Sequence, residues 1–207
     1  MMKLTSPGIE IVSATTAEAA LVAGLIATAF HDLEVARWQI PDDNQRRALF
    51  PAMFEEYVHH ALECGSVEMA ADLTAAAVWT VETGEPKPVP KAPEGRMASA
   101  LGDAAEKVHE FDLALHEHEP DGTRFEKLAL LAVRPGCQNQ GFGSALLAYH
   151  LSDLDRRLVP AYLEASNKTS RELYRRYGFR DHGEPIKLPH GPLMFPMWRE
   201  PPGVQHS

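Results

Sequence analysis

The residues best placed to do chemistry run from Val133 to Leu147, where an apolar segment enters a glycine-bearing turn and leaves it as an apolar helix. Leu128 to Val133 reads as a buried strand, Arg134 to Gln140 as a loop, and the positions from Gly141 onward as a helix. The first amides of such a helix lack carbonyl partners and stand at the positive end of its dipole, so together they attract a pyrophosphate. The same glycines would equally let helix and strand pack closely, and the loop by itself leaves both readings open. Two familiar nucleotide loops are excluded. No Lys-Ser or Lys-Thr pair follows the glycines, as a P-loop requires, and Leu146 occupies the place of the third Gly or Ala of a dinucleotide fingerprint. Cys137 lies inside the loop, where its amide rather than its sulfur would serve a phosphate, and it is too far from Cys64 for a metal-ligand spacing.

A second segment comes after it in a suggestive order. Tyr162 to Ser166 reads as a strand, and Asn167 to Tyr177 as a helix with Thr169 and Glu172 in capping-box spacing; Gly178 is its stop before Phe179. Pro135, then Gln138-x-x-Gly141-x-Gly143, then Leu173-Tyr174 and Tyr177-Gly178-Phe179 together resemble the GNAT acetyltransferase superfamily, whose members move an acetyl group from acetyl-CoA to an amine. The first position of that signature is Arg or Gln in the family, and Gln138 fits it. His116 to Pro120, Tyr162 to Ser166, Leu188 to Pro192 and Met197 to Pro201 are similar to the branch containing puromycin N-acetyltransferase.

The resemblance implies roles for individual residues. Gln138, Asn139, Gln140, Gly141, Phe142, Gly143 and Ser144 would dock the pyrophosphate of acetyl-CoA, with Asn167 touching the CoA arm and Tyr174 beside the thioester sulfur. Leu131, Ala132 and Val133 would supply a backbone amide to the thioester oxygen, where negative charge builds as the amine attacks. Tyr174 would then protonate the leaving thiolate. An alkylamine has an unperturbed pKa of about 10.4, so acetyl transfer needs a group that removes its proton. Glu126, entering one strand, and Glu164, in the next, are the two candidates, with His116 and Glu117 behind them; a salt-bridged structural role stands open for each carboxylate. The acceptor implied is a small-molecule primary amine. A noncatalytic CoA-binding module and a protein or peptide N-acetyltransferase are the competing readings.

Other elements must hold these groups in place. Gly8 to Ala14 is a strand candidate; Thr15 and Glu18 form a capping box opening a helix to about Phe30. A long helix starting after Pro41-Asp42-Asp43 and running to Gly65 would bury Phe50, Met53, Phe54, Tyr57, Ala61 and Leu62, with Phe54 and Tyr57 read either as core or as pocket lining. Ser66 to Ala70 and Ala75 to Val81 suggest an antiparallel hairpin. The run 84–93 carries closely spaced prolines and reads as a surface loop positioned to gate the acceptor. Met97, Leu101, Ala104, Val108, Phe111 and Leu115 form the stripe of a single amphipathic helix, and Met194 to Trp198 a last strand before an exposed, flexible tail from about Arg199. The expected class is α/β, a mixed and mostly antiparallel twisted sheet with helices on both faces, built as one domain spanning 1–207.

Composition narrows the class without choosing it. The apolar share of 44% and charged share of 24% are those of a soluble globular protein. The net charge of −9 argues against general nucleic-acid binding and suits a cationic acceptor. No apolar run is long enough to span a membrane and the first residues lack a signal pattern, so no membrane partner and a cytoplasmic location are expected.

Overall fold

A computed structural model of the chain describes residues 8–203. The chain opens with strand β1 (Ile11–Ser13), and helix α1 (Ala19–Phe30) follows a turn in which the Thr15 amide donates to Glu18 at 2.8 Å. A short helix absent from the sequence reading, α2 (Glu34–Gln39), precedes α3 (Asp43–Cys64), which is capped by the Asp42 carboxylate accepting from the Gln45 amide at 2.7 Å. The hairpin β2 (Gly65–Ala70) and β3 (Ala75–Glu82) is next. The single helix expected over 97–115 is two, α4 (Gly95–Leu101) and α5 (Ala104–His116), because Gly102 takes a positive φ of 53° and turns the chain. Then come β4 (Phe125–Val133), α6 (Phe142–Arg157), β5 (Ala161–Ala165), α7 (Lys168–Arg176), β6 (Arg180–Asp181), β7 (Ile186–Lys187) and β8 (Leu193–Arg199).

The strands form one mixed, mostly antiparallel, eight-stranded sheet ordered β1-β2-β3-β4-β5-β8-β6, with β7 on β8. Helices cover both faces, as the sequence led us to expect. Val22, Leu25 and Ile26 of α1 pack with Val58 and Ala61 of α3 on one face, over Ala76, Val78 and Ala132. Leu146, Leu147, Leu151 and Leu154 of α6 pack on the other, over Ala75, Ala77, Trp79 and Leu163, and Tyr174 of α7 joins them.

Two irregularities of the sheet prepare the site. β4 and β5 are its parallel neighbours, joined through the crossover helix α6, yet they pair only at Glu126 with Ala161 and Lys127 with Tyr162. Beyond that point β4 stays with β3 while β5 follows β8, so the two strands part and leave a gap. A bulge at Ala129, between the pairs Trp79 with Leu128 and Val78 with Leu130, shifts the alternation of β4 by one residue. Glu126 and Leu128 therefore share the α6 face with Leu131 and Val133 further along the strand.

The last strand runs further than expected. Arg199 is no tail residue: it pairs with Ala161, donates from Nε to the Tyr177 carbonyl at 2.8 Å, and forks onto Asp155 of α6 at 2.7 and 2.9 Å. That bidentate pair ties the end of the sheet to the last turn of α6. Residues 204–207 of the expected tail lie outside the described residues, as do residues 1–7 of the opening segment. No described helix is long and apolar enough to cross a membrane.

Candidate active site

The turn before α6 is shaped by residues that tolerate left-handed backbone. Gly136, Asn139 and Gly141 have φ of 85°, 63° and 94°. Gly141 ends the turn at the N-cap of α6 with no side chain covering the helix end, and Ala145 is the first residue whose amide returns to it, at 2.9 Å. The amides of Phe142, Gly143 and Ser144 stand upstream of that first helical bond, where a helix has no internal acceptors to offer. Gly143 lets the helix lie against β4: a Cβ there would touch Val133 and Leu131 at 3.6 and 3.7 Å. Gln138 staples the loop from within, accepting from the Gly136 amide at 2.8 Å, while Gln140 donates to the Gly136 carbonyl at 3.1 Å.

That helix end opens onto a cleft of about 1190 Å³ that passes through the gap between β4 and β5. Leu131, Ala132, Val133, Gln138, Asn139, Gly141, Phe142, Gly143 and Ser144 line it, as do Ser166, Asn167 and Tyr174. Gln140 does not. Asn167, and not Thr169, is the cap of α7; its carboxamide oxygen accepts from the Ser170 amide at 2.9 Å and its nitrogen donates to Ser166 at 3.2 Å. Tyr174 is buried on α7, and burial pushes its hydroxyl above the ordinary tyrosine range, so it stays a proton carrier. Tyr177 is not among the cleft residues, and its carbonyl serves Arg199.

Beyond the gap the cleft changes character. Phe30 of α1, Met53, Phe54 and Tyr57 of α3, Phe111 and Leu115 of α5 and Met194 of β8 make an apolar wall. Phe54 packs edge-on to Phe30 at 5.6 Å and beside Tyr57 at 6.4 Å. At its floor Lys127 sits between Glu164, 3.0 Å away, and Glu119, which Lys87 also contacts. Burial works against the Lys127 charge, but Glu164 and Glu119 outweigh it and hold the ammonium charged. Burial raises the Glu164 carboxyl against the pull of Lys127. Asp112 of α5 also reaches the cleft, and the Tyr57 hydroxyl lies 3.5 Å from its carboxylate. Burial pushes the Asp112 carboxyl up to about 6, against the weaker pull of the Tyr57 hydroxyl, His109 and Lys127.

Residues 104–181 match the family model described as an acetyltransferase (GNAT) domain. Solved structures share the GNAT fold over nearly the whole chain. One from Corynebacterium glutamicum, described as histone acetyltransferase HPA2 and related acetyltransferase, is 24% identical with a TM-score of 0.69, covering 94% of this chain and 98% of that one. Arylalkylamine N-acetyltransferase 2 from Aedes aegypti is 15% identical with a TM-score of 0.66, over 93% and 99% of the two chains. The ribosomal-protein-S18-alanine N-acetyltransferase of Escherichia coli is 17% identical with a TM-score of 0.57, over 96% and 97%.

Within this GNAT fold the two carboxylates proposed from sequence separate. Glu164 lies in the cleft, whereas Glu126 is on the α6 face of the sheet, outside it, accepting from His150 at 2.8 Å and paired with Arg157 at 2.7 Å. The expectation that either could serve the amine therefore fails for Glu126. The loop 84–93 also departs from expectation: its residues border a separate small pocket with His116 and Glu119 and none lines the cleft. Gly84 is pressed against the Thr123 backbone, where a Cβ would approach to 2.8 Å, and Lys87 is held by Glu82 at 2.7 Å. Just past α5, His118 is bonded through Nδ1 to the Ala114 carbonyl at 2.7 Å, and both cysteines are free. Asp112 was missed by sequence reasoning; its one local signal was a carboxylate directly after Phe111 on the apolar stripe of a helix.

Proposed function

We propose that this protein transfers the acetyl group of acetyl-CoA to the primary amine of a small molecule. The observation that carries the reading is a single cleft joining the open end of α6 and Tyr174 to an apolar, acid-bearing chamber through the gap between β4 and β5. Its volume exceeds the roughly 300–1,000 Å³ of an ordinary ligand pocket and leaves room for two reactants. Acetyl-CoA fits the near half: the amides of Gly141 to Ser144 face a pyrophosphate, and Leu131 to Val133 with Asn167 border the arm. An amide on that strand edge polarises the thioester oxygen, and Tyr174 gives its proton to the departing sulfur. Glu164, kept beside Lys127, sets the charge of the floor between thioester and acceptor. Both halves of the cleft hang on one sheet, so the chain acts as one acetyltransferase domain.

The named relatives act on a small arylalkylamine in one case and on a ribosomal protein in another, so likeness of fold does not choose the acceptor. The resemblance of the chain to the puromycin N-acetyltransferase branch favours the small molecule. Acetyl-CoA should raise the melting temperature, and thiol release measured across a panel of small and peptide amines should depend on the amine. Binding without release on any amine would make the protein a CoA-binding module; preference for peptide amines would make it a protein acetyltransferase.

A further inference from the structure

The chamber beyond the gap has an unusual charge arrangement. Lys127, the cation at its floor, is already matched by Glu164 and Glu119. Asp112 is in no ion pair among the described residues: His109 and Lys127 pull on it only weakly, and its side-chain partner is the neutral Tyr57 hydroxyl at a long 3.5 Å. Phe54, Phe111, Leu115 and Met194 line the same cleft. An apolar chamber with a carboxylate lacking its cation is complementary to a ligand that is apolar except for one positive end.

We propose that this chamber takes a primary amine carried on an aryl or branched apolar body, and that Asp112 binds its ammonium and accepts its first proton. The inference rests on the acetyl-transfer reading only for the steps after binding. A polyamine would bring a second cation to a floor where Glu164 is occupied by Lys127. An aminated sugar or a peptide would bury hydroxyls or amides against Phe54, Phe111 and Leu115, which offer no partners. Rings edge-on to one another, as Phe30 and Phe54 are, accept a further ring in the same geometry.

The proton steps balance. Asp112 takes one proton from the bound ammonium, converting an ion pair into two neutral groups, which burial favours for both partners. The nitrogen lone pair forms a bond to the thioester carbonyl carbon, the C–S bond breaks, and Tyr174 protonates the thiolate. Tyr174 regains a proton from the acylated nitrogen, and Asp112 releases its own to water as the amide leaves. The raised Asp112 carboxyl suits the task, being ionised at neutral pH yet basic enough to hold a proton transiently.

Calorimetry of the full chain at neutral pH, with and without CoA, reads the chamber independently of transfer. Phenylethylamine should bind, and spermidine, a lysine peptide, phenylethyl alcohol and phenylpropionate should each bind at least about tenfold more weakly, the cost of an unmatched charge or an unmade charge-assisted bond. D112N should lose about tenfold for phenylethylamine and leave acetyl-CoA affinity unchanged. Equal or better binding of spermidine, the peptide or the alcohol overturns the proposal, as does undiminished binding to D112N or no binding of phenylethylamine to the wild type. Because the alcohol and the acid are tested on the unaltered chain, a D112N protein that failed to fold would leave the question decided. If phenylethylamine binds as expected while acetyl-CoA neither binds nor releases thiol, the acetyl-transfer reading fails and the chamber stands.

Discussion

The sheet carries a buried cluster of charges on each face, and the two are built differently. On the α6 face His150 lies between Glu68 and Glu126 at 2.8 Å each, stacked 4.0 Å from Trp79, while Arg157 takes the remaining oxygen of Glu126. Every charge there has a partner within the cluster, and none of these residues lines the cleft. On the cleft face Lys127, Glu119 and Glu164 are likewise matched, but Asp112 is left with a hydroxyl. A closed cluster can hold strands and helix together, since breaking it strands a buried charge. A cluster with an unmatched member open to a cleft has something left to bind. Burial of a carboxylate therefore says little about function; what matters is whether its partner is already present.

The comparison breaks if the cleft residues govern only stability or the α6-face residues govern only rate. The largest effect belongs to the cleft. Y174F should lower kcat by about a hundredfold with little change in KM for acetyl-CoA, because a positioned acid contributes roughly 10²–10⁴-fold to such a step. Steady-state thiol release tests it, and unchanged turnover would remove Tyr174 from the mechanism. E126A should do the reverse. Removing one partner of a buried pair costs about 3–5 kcal/mol, and Glu126 serves both His150 and Arg157. Urea unfolding should show that loss, while kcat measured well below the new melting temperature stays within about twofold of wild type.

Glu126 and Glu164 could not be told apart in the sequence for a physical reason. Strand alternation assigns faces only when the register is known, and the bulge at Ala129 changes it in mid-strand. The turn before α6 was legible because its grammar is local: a strand, a turn needing left-handed backbone and a helix start succeed one another within a few residues, and Gly141 takes the φ of 94° that such a turn demands. The cap of α7 was misplaced by two residues, since Thr169 with Glu172 and Asn167 offer rival local patterns and the extended backbone of Asn167 decided it. Helix α2 has six residues, too few to show a period, and Asp112 reached the cleft only because α5 packs across from α3, a tertiary fact with no sequence signature. The family resemblance reached the half of the cleft proposed for acetyl-CoA for the same reason that the half proposed for the acceptor escaped it: the first is a motif, the second an arrangement.

Proton titration offers a finer test of the same contrast. Burial opposes the His150 charge, but Glu126 and Glu68 outweigh it and raise its pKa above the ordinary histidine value of 6.5; Glu126 is lowered, since His150 and Arg157 outweigh its burial. For a histidine raised in the folded state the stabilisation is complete below 6.5 and is lost as pH rises through the folded value. For Glu126 the contribution is present above 4.5 and is lost as pH falls through its lowered value. Thermal unfolding should therefore show stability weakening on the alkaline side of the histidine range, and H150Q should flatten that decline. A decline unaltered in H150Q would assign it to other groups.

The smallest expected effect concerns Asp112, and its sign is opposite to that of Glu126. Its carboxyl is raised by burial to about 6 from 3.8, so the folded state favours the protonated form; that preference is fully present below 3.8 and is lost as pH climbs through about 6. Above that, holding Asp112 ionised without a cation costs stability. D112N should consequently melt higher than wild type at about pH 8, by on the order of 1 kcal/mol since the group is partly open to water, and should match it at about pH 4. Acetyl transfer should move the other way if the proposed activity holds, with kcat/KM for the amine rising through an apparent pKa near 6 that D112N abolishes. A residue whose neutralisation stabilises the fold and weakens amine binding is the mark of a group kept for binding. If D112N instead lowers the melting temperature at both pH values, Asp112 belongs with Glu126 among the structural charges, and the contrast between the two faces disappears.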